Sequence, residues 1–167
     1  MTEIKFRGQP IHTIGKLPKV GSIAPDFLLT DGKFNDHSLK DYAGKKKILS
    51  VVPSLDTDTC STSAKKFNEL TGKLSNVAVL VVSADLPFAQ KRFCDAEKCT
   101  FIITLSMLRT RDFAKDYGVL MIDGPLAGIC SRAVVVLDEN NKILYTEQVG
   151  EIVHEPDYDS AINALTL

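Results

Sequence analysis

The sequence predicts an α/β fold with a largely parallel, buried sheet at its core, and three features predict it. Lys47 to Pro53 (KILSVVP) and Asn76 to Ala84 (NVAVLVVSA) are apolar runs of strand length, the mark of strands covered on both faces. Between them Ala64, Phe67, Leu70 and Leu74 recur at three and four, which is helical spacing. Late in the chain, two more strand-like segments flank the polar turn Asp138 to Lys142, so an antiparallel hairpin joins the parallel core.

Each element has a local reason. Ile4-Lys5-Phe6 and Ile11-His12-Thr13-Ile14 alternate in character about Gly8-Gln9-Pro10, giving an amino-terminal hairpin. Lys16 to Pro25 is a linker punctuated by Gly and Pro, and Phe27 to Thr30 is a short strand stopped by Asp31-Gly32. Ser38 caps a helical turn that ends near Gly44. The first buried strand, Lys47 to Pro53, leads to a helix from Cys60 to about Leu74, and the second strand is Asn76 to Ala84. Pro87 opens a helix through about Glu97, because a residue without an N–H loses nothing at the first helical position. Phe101 to Leu105 is a third strand, and Asp112 to Tyr117 is a short helix closed by Gly118. Arg132 to Leu137 and Ile143 to Gln148 form the late hairpin, and Asp157 to Leu165 is the last helix. With no repeats and no low-complexity tract, residues 1–167 are expected to form one domain. This order of elements is that of the thioredoxin fold.

Composition narrows the function. A hydrophobic fraction of 44% with 25% charged residues is that of a soluble globular protein. Twenty basic against twenty-one acidic residues leave no electrostatic footprint for nucleic acid or an anionic membrane. No apolar run approaches the ~20 residues of a membrane span, and the start MTEIKFRGQP lacks the apolar segment of a secretion signal, so a cytoplasmic location is expected. There Cys60, Cys94, Cys99 and Cys130 are reduced at rest, and a chain of this size needs no disulfide staples.

Cys60 carries the chemistry. In sheets of this kind sites form beyond the carboxyl ends of strands, and Cys60 lies just past the strand that ends near Pro53. Only a thiolate attacks, and an ordinary cysteine is only about 3% ionised at pH 7. Lowering a thiol pKa to roughly 6 requires about 3.4 kcal/mol of preference for the charged form, and a helix N-terminus supplies at most ~2 kcal/mol. A cation is therefore needed. Lys65, Lys66 and Arg132 are the candidates, and Arg132 is favoured because a guanidinium stays charged and offers a planar fork, whereas the lysines begin a turn later and face solvent. Asp56 and Asp58 oppose ionisation unless they point away, and capping the helix is their expected use. Thr57 offers a hydroxyl that both donates and accepts, and Pro53 can shield the sulfur from water.

Pro53, Thr57 and Cys60 match the P-x-x-x-T-x-x-C signature of the peroxiredoxins, and PSLDTDTC resembles the thiol peroxidase branch. The resemblance continues through DLPFAQKRFC (Asp85 to Cys94), SRAVVVLDEN (Ser131 to Asn140) and EIVHEPDYDSAINAL (Glu151 to Leu165), and covers essentially the whole chain. It implies an atypical two-cysteine enzyme of thioredoxin fold that reduces hydrogen peroxide and organic hydroperoxides and is recycled by thioredoxin. Carried over by position, Cys60 is the peroxidatic cysteine, Cys94 the resolving cysteine that forms the Cys60–Cys94 disulfide, and Arg132 the arginine beside the thiolate. The resemblance also implies a homodimer whose subunits each hold their own cysteine pair, and no metal or organic cofactor. One departure is visible: Asp58-Thr59 stands where the family more often has Pro-Val, which sets an added carboxylate at the helix mouth.

The other cysteines fall outside that scheme. Cys94 and Cys99 are spaced C-x-x-x-x-C, not the C-x-x-C of a dithiol exchanger, and a packing role is expected for Cys99. Were the strand after Gly128 to include Cys130, period 2 would set it on the face of Arg132, near the site. A structural zinc site on Cys94, Cys99, Cys130 and His154 lacks two close ligand pairs. A non-enzymatic redox sensor or holdase using the same thiol is the alternative function. Apolar residues around Met107, Leu120 and Met121 are candidates for a pocket that takes a lipid-like tail, and equally for core or dimer interface.

Overall fold

A computed structural model describes residues 1–167. Nine strands and four helices run in the order β1 (Thr2–Phe6), β2 (Gln9–Thr13), β3 (Leu29–Thr30), β4 (Asp36–His37), β5 (Lys46–Val51), α1 (Asp58–Thr71), β6 (Val77–Ser83), α2 (Pro87–Glu97), β7 (Ile102–Ser106), α3 (Asp112–Asp116), β8 (Ala133–Leu137), β9 (Ile143–Gln148) and α4 (Tyr158–Ala164). A 3-10 turn over Leu39–Tyr42 precedes β5. No helix is long and apolar enough to cross a membrane.

The main sheet has seven strands in the order β4-β3-β7-β6-β5-β8-β9. β5, β6 and β7 are mutually parallel, while β8 runs antiparallel to β5 and pairs Ala133 with Val51. This one reversal matters for the site, because it brings the entry to β8 beside the carboxyl end of β5. Successive residues of β5 feed opposite faces: Leu49 and Val51 join one buried cluster with Phe27, Leu80, Leu105, Phe113 and Tyr117. Ile48 joins a second with Phe67, Val79, Val134, Val136 and Ala161. Both faces are thus covered, as the apolar strand runs require.

The hairpin β1–β2 forms its own two-stranded sheet, in register from Thr2 opposite Thr13 to Phe6 opposite Gln9. Its turn residues Arg7 and Gly8 have φ of 51° and 79°, the left-handed values that a two-residue hairpin turn needs. Backbone bonds from Lys5 N to Gly150 O (2.8 Å) and from Ile152 N to Lys5 O (2.9 Å) tie it to the segment after β9. The Glu151 carboxylate then accepts the amides of Arg7 (3.0 Å) and Gly8 (2.9 Å). Underneath, Ile4, Ile11, Met121 and Ile152 form a small apolar cluster of their own.

Sequence and structure differ at a few edges. α1 begins at Asp58, two residues before Cys60, because Thr57 takes the extended N-cap conformation. β4 was not expected, since Asp36 and His37 carry no apolar pattern; they pair with β3, where Thr30 Oγ1 also donates to the Asp36 carboxylate at 2.8 Å. α2 matches the expected span of Pro87 to Glu97, with Pro87 at the first position. It ends on Lys98, whose φ of 55° is left-handed and whose N–H returns to the Cys94 carbonyl.

Candidate active site

Cys60 occupies the third position of α1, fully buried, and its sulfur lies 3.4 Å from Nη2 of Arg132. Arg132 is itself 2% exposed, so a guanidinium sits almost wholly out of water. Such a charge is retained only with partners. Its Nε donates to the Ile152 carbonyl at 2.9 Å and its Nη2 reaches Cys60, while Nη1 has no partner in the protein. The backbone of Arg132 is fixed as well, its carbonyl accepting from Val149 N and from Gln148 Nε2, each at 3.0 Å. Lys65 and Lys66 pair instead with Glu97 (3.3 Å) and Glu155 (3.5 Å) near the surface. Of the candidate cations, Arg132 is the one placed against the sulfur.

A cavity of about 360 Å³ reaches Arg132, while Cys60 lies buried behind its lining. Pro53, Ser54, Thr57, Asp58 and Thr59 form one wall, with Arg132 at the base and Phe6, Leu126, Ile129 and Ile152 supplying an apolar side. Pro53 is buried and lines the cavity. The Thr57 hydroxyl donates to the Ser54 carbonyl at 2.9 Å, which spends its proton and leaves its lone pairs to accept. Of the expectations for Met107, Leu120 and Met121, the core one holds and the pocket one is corrected: none lines the cavity, because Met107 and Leu120 pack with the core on the other face of the sheet and Met121 packs under the hairpin. The hairpin residue Phe6 takes the place assigned to them, brought there by contacts far apart in sequence.

The capping role given to Asp56 and Asp58 is also corrected. Thr57 is the N-cap by conformation, and neither carboxylate accepts a helix N–H; both residues are exposed, and Asp58 lines the cavity. The order of this turn comes from Asp85 on the far side. Its carboxylate accepts Ser54 Oγ at 2.7 Å, Leu55 N at 2.8 Å and Ser83 Oγ at 2.7 Å, clamping the β5–α1 turn to the end of β6. Sequence reading did not single out Asp85, whose only signal was its place at the head of DLPFAQKRFC.

Cys94 lies apart from this group. It is half-buried on α2, with its sulfur 4.0 Å from Thr104 Oγ1 on β7, and burial raises its thiol pKa against the opposing bond to Thr104. Thr104 pairs with Val81, and Val81 pairs with Ser50 of β5. Two strand spacings, about 10 Å, therefore separate β7, against which Cys94 packs from α2, from β5, the strand that leads to Cys60. A disulfide needs Cα atoms about 4.4–6.8 Å apart. All four cysteines are free thiols.

Cys130 is not on the face of Arg132. β8 begins at Ala133, and the chain bends before it, so Cys130 is buried with its sulfur 3.7 Å from Met107 Sδ on the opposite side of the sheet. Burial pushes its thiol up to about 12. No group of three or more His, Cys, Asp or Glu side chains is gathered closely enough to hold a metal ion.

Three comparisons place this arrangement among known proteins. The Redoxin family profile matches residues 19–162. A thiol peroxidase of Leptospira interrogans is 46% identical over 166 residues, spanning 98% of this chain and 97% of that protein. Among solved structures, a peroxiredoxin-like protein from Aquifex aeolicus superposes with a TM-score of 0.91 at 39% identity, covering 96% of this chain and 94% of its own. A thiol peroxidase from Chromobacterium violaceum superposes with a TM-score of 0.90 at 26% identity, covering 96% and 93%.

Proposed function

We propose, for a chain that belongs to the Redoxin family and within it to the thiol peroxidase branch of the peroxiredoxins, that Cys60 reduces hydrogen peroxide and organic hydroperoxides and that thioredoxin returns the enzyme to its dithiol form. Family membership makes the protein a peroxidase that works through a thiol. The observation that carries the finer reading is the 3.4 Å contact between Cys60 Sγ and a buried guanidinium that keeps one nitrogen unpartnered above the cavity floor.

The steps follow from those atoms. The Cys60 thiolate attacks the terminal peroxide oxygen; the O–O bond breaks, and the leaving oxygen takes a proton to become water or an alcohol. The sulfur is left as a sulfenic acid. Arg132 stabilises charge on the leaving oxygen through Nη1, the donor that Ile152 and Cys60 do not occupy. Thr57, whose proton is committed to Ser54, accepts from the peroxide O–H and orients it. Pro53 keeps water from the sulfur. Cys94 then attacks the sulfenic sulfur, expelling water and forming the Cys60–Cys94 disulfide, which thioredoxin reduces. Because the two cysteines start on different helices, α1 and α2, we take α2 to unwind partly before they join. The reading also includes a cytoplasmic homodimer whose subunits each hold a complete cysteine pair, and it needs no metal or organic cofactor.

The test is hydroperoxide consumption with thioredoxin and its reductase. The wild type turns over continuously, Cys60→Ser falls to background, and Cys94→Ser consumes about one equivalent and stops. Equal turnover by wild type and Cys60→Ser would falsify the assignment.

A further inference from the structure

Cys99 follows the left-handed residue that ends α2, and its amide donates to the Cys94 carbonyl at 3.0 Å. Lys98 N–H returns to the same carbonyl. In this helix-ending motif the residue just past the left-handed position folds back over the one five before it, and their side chains commonly touch. Here both of those residues are cysteines. That direct backbone bond brings the two residues into contact at the helix end, the close approach that a disulfide, with Cα atoms about 4.4–6.8 Å apart, requires. Both side chains belong to one apolar cluster, which also contains Cys60. The folded protein therefore brings the backbones of Cys94 and Cys99 together at one helix end, whereas Cys60 sits on a different helix.

We propose that Cys99 is a relay thiol that moves the disulfide from Cys60–Cys94 to Cys94–Cys99. The inference rests on the peroxidatic role of Cys60 given above. Once the Cys60–Cys94 disulfide has formed, the Cys99 thiolate attacks the Cys94 sulfur. One S–S bond forms, the other breaks, and Cys60 leaves as a thiolate with the electron pair of the broken bond; the new bond's pair comes from the Cys99 thiolate, and no further oxidant or reductant enters. The exchange is driven by refolding: the Cys60–Cys94 form holds α2 open, whereas the Cys94–Cys99 form lets its end close again. Timing follows from burial, which together with Cys94 and Glu97 pushes the Cys99 thiol up to about 11 in the closed state. Attack therefore waits until α2 has opened. The relay frees Cys60 for a second peroxide before any reductant arrives.

The two bridges are separable by mass. Trypsin cleaves after Lys98, between Cys94 and Cys99, so a bridge between them links the peptide Phe93–Lys98 to Cys99–Arg109, whereas the first bridge links Phe93–Lys98 to the peptide carrying Cys60. Fully reduced protein is given one equivalent of hydrogen peroxide without reductant, alkylated at intervals, digested and mapped. The expected course is transient linkage to Cys60, replaced by the Cys94–Cys99 link with Cys60 alkylated. Under excess peroxide the wild type consumes about two equivalents quickly, and Cys99→Ser about one. Persistent Cys60–Cys94 linkage with Cys99 alkylated throughout overturns the relay while leaving the peroxidase reading intact. Unconsumed peroxide with Cys60 still a thiol overturns both.

Discussion

Arg132 shows how few atoms separate a structural arginine from a functional one. Its three nitrogens point in different directions from one planar group: Nε to Ile152 O, Nη2 to Cys60, and Nη1 buried with no partner in the protein. A lysine has one ammonium at the end of a flexible stem and cannot serve three directions at fixed angles. Arg132→Lys is therefore expected to lower kcat/KM by about 10²- to 10³-fold, the loss typical of removing one donor to developing charge, with the fold retained by circular dichroism. The four thiols should separate by reactivity. Cys130, pushed up to about 12, and Cys99, up to about 11, stay protonated at neutral pH in the folded protein. Iodoacetamide at mildly alkaline pH is expected to spare Cys130 until denaturant is added; its labelling at the rate of Cys60 in native protein would contradict the packing described. Pro53, Thr57 and Cys60 were legible in the sequence because eight consecutive residues hold them. Asp85 was not, because its partners Ser54 and Leu55 lie thirty or more positions away and meet it only once β5 and β6 pair.

At the level of elements, apolar run length and helix punctuation carried most of the information. α2 was legible to its end residues because Pro87 marks the start, and β9 because a polar turn precedes it. α1 was placed two residues late: Asp56 and Asp58 both resemble caps, and only the backbone of Thr57 shows which residue is the boundary. The β5–α1 turn that carries Pro53 and Thr57 depends on Asp85. Asp85→Ala removes an acceptor from three donors, at a cost of about 1–3 kcal/mol for each donor left buried and unpaired, so denaturant midpoint and kcat/KM are both expected to fall. α2 is the element that moves in the proposed cycle. Amide exchange across Pro87 to Glu97 is expected to accelerate in the Cys60–Cys94 form, and unchanged protection there would rule out unwinding. Its left-handed Lys98 is a built-in weakness, since glycine holds that conformation without a side-chain penalty of about 1 kcal/mol. Lys98→Gly should raise thermal stability and slow disulfide formation, as rapid-quench alkylation would show.

Across the whole molecule the site is assembled from three regions: the β5–α1 turn, the entry to β8, and the amino-terminal hairpin with the loop at Glu151 to Val153. The thioredoxin-like order was readable from the alternation of elements, but the docking of the hairpin was not, since Phe6 reaches the cavity only through tertiary contact. Glu151 is the latch. Its carboxyl is held below the usual range, first by the Gly8 amide and also by those of Val153 and Arg7. A carboxylate depressed in the folded state contributes stability above its unfolded pKa and loses it as pH falls through the folded value. Protection of the Arg7 and Gly8 amides, measured against the intrinsic exchange rate at each pH, is therefore expected to fall as pH drops through the carboxylate range, and Glu151→Gln to show the reduced protection already at neutral pH. The distance between Cys60 and Arg132 along the chain, seventy-two positions, has a consequence during synthesis. A ribosome-bound chain that has exposed α1 but not yet β8 carries a Cys60 without its guanidinium, and the carbonyl that aims that guanidinium arrives twenty residues later still. The nucleophile is switched on by completion of the fold, so a half-made chain is spared the oxidation that the finished one invites.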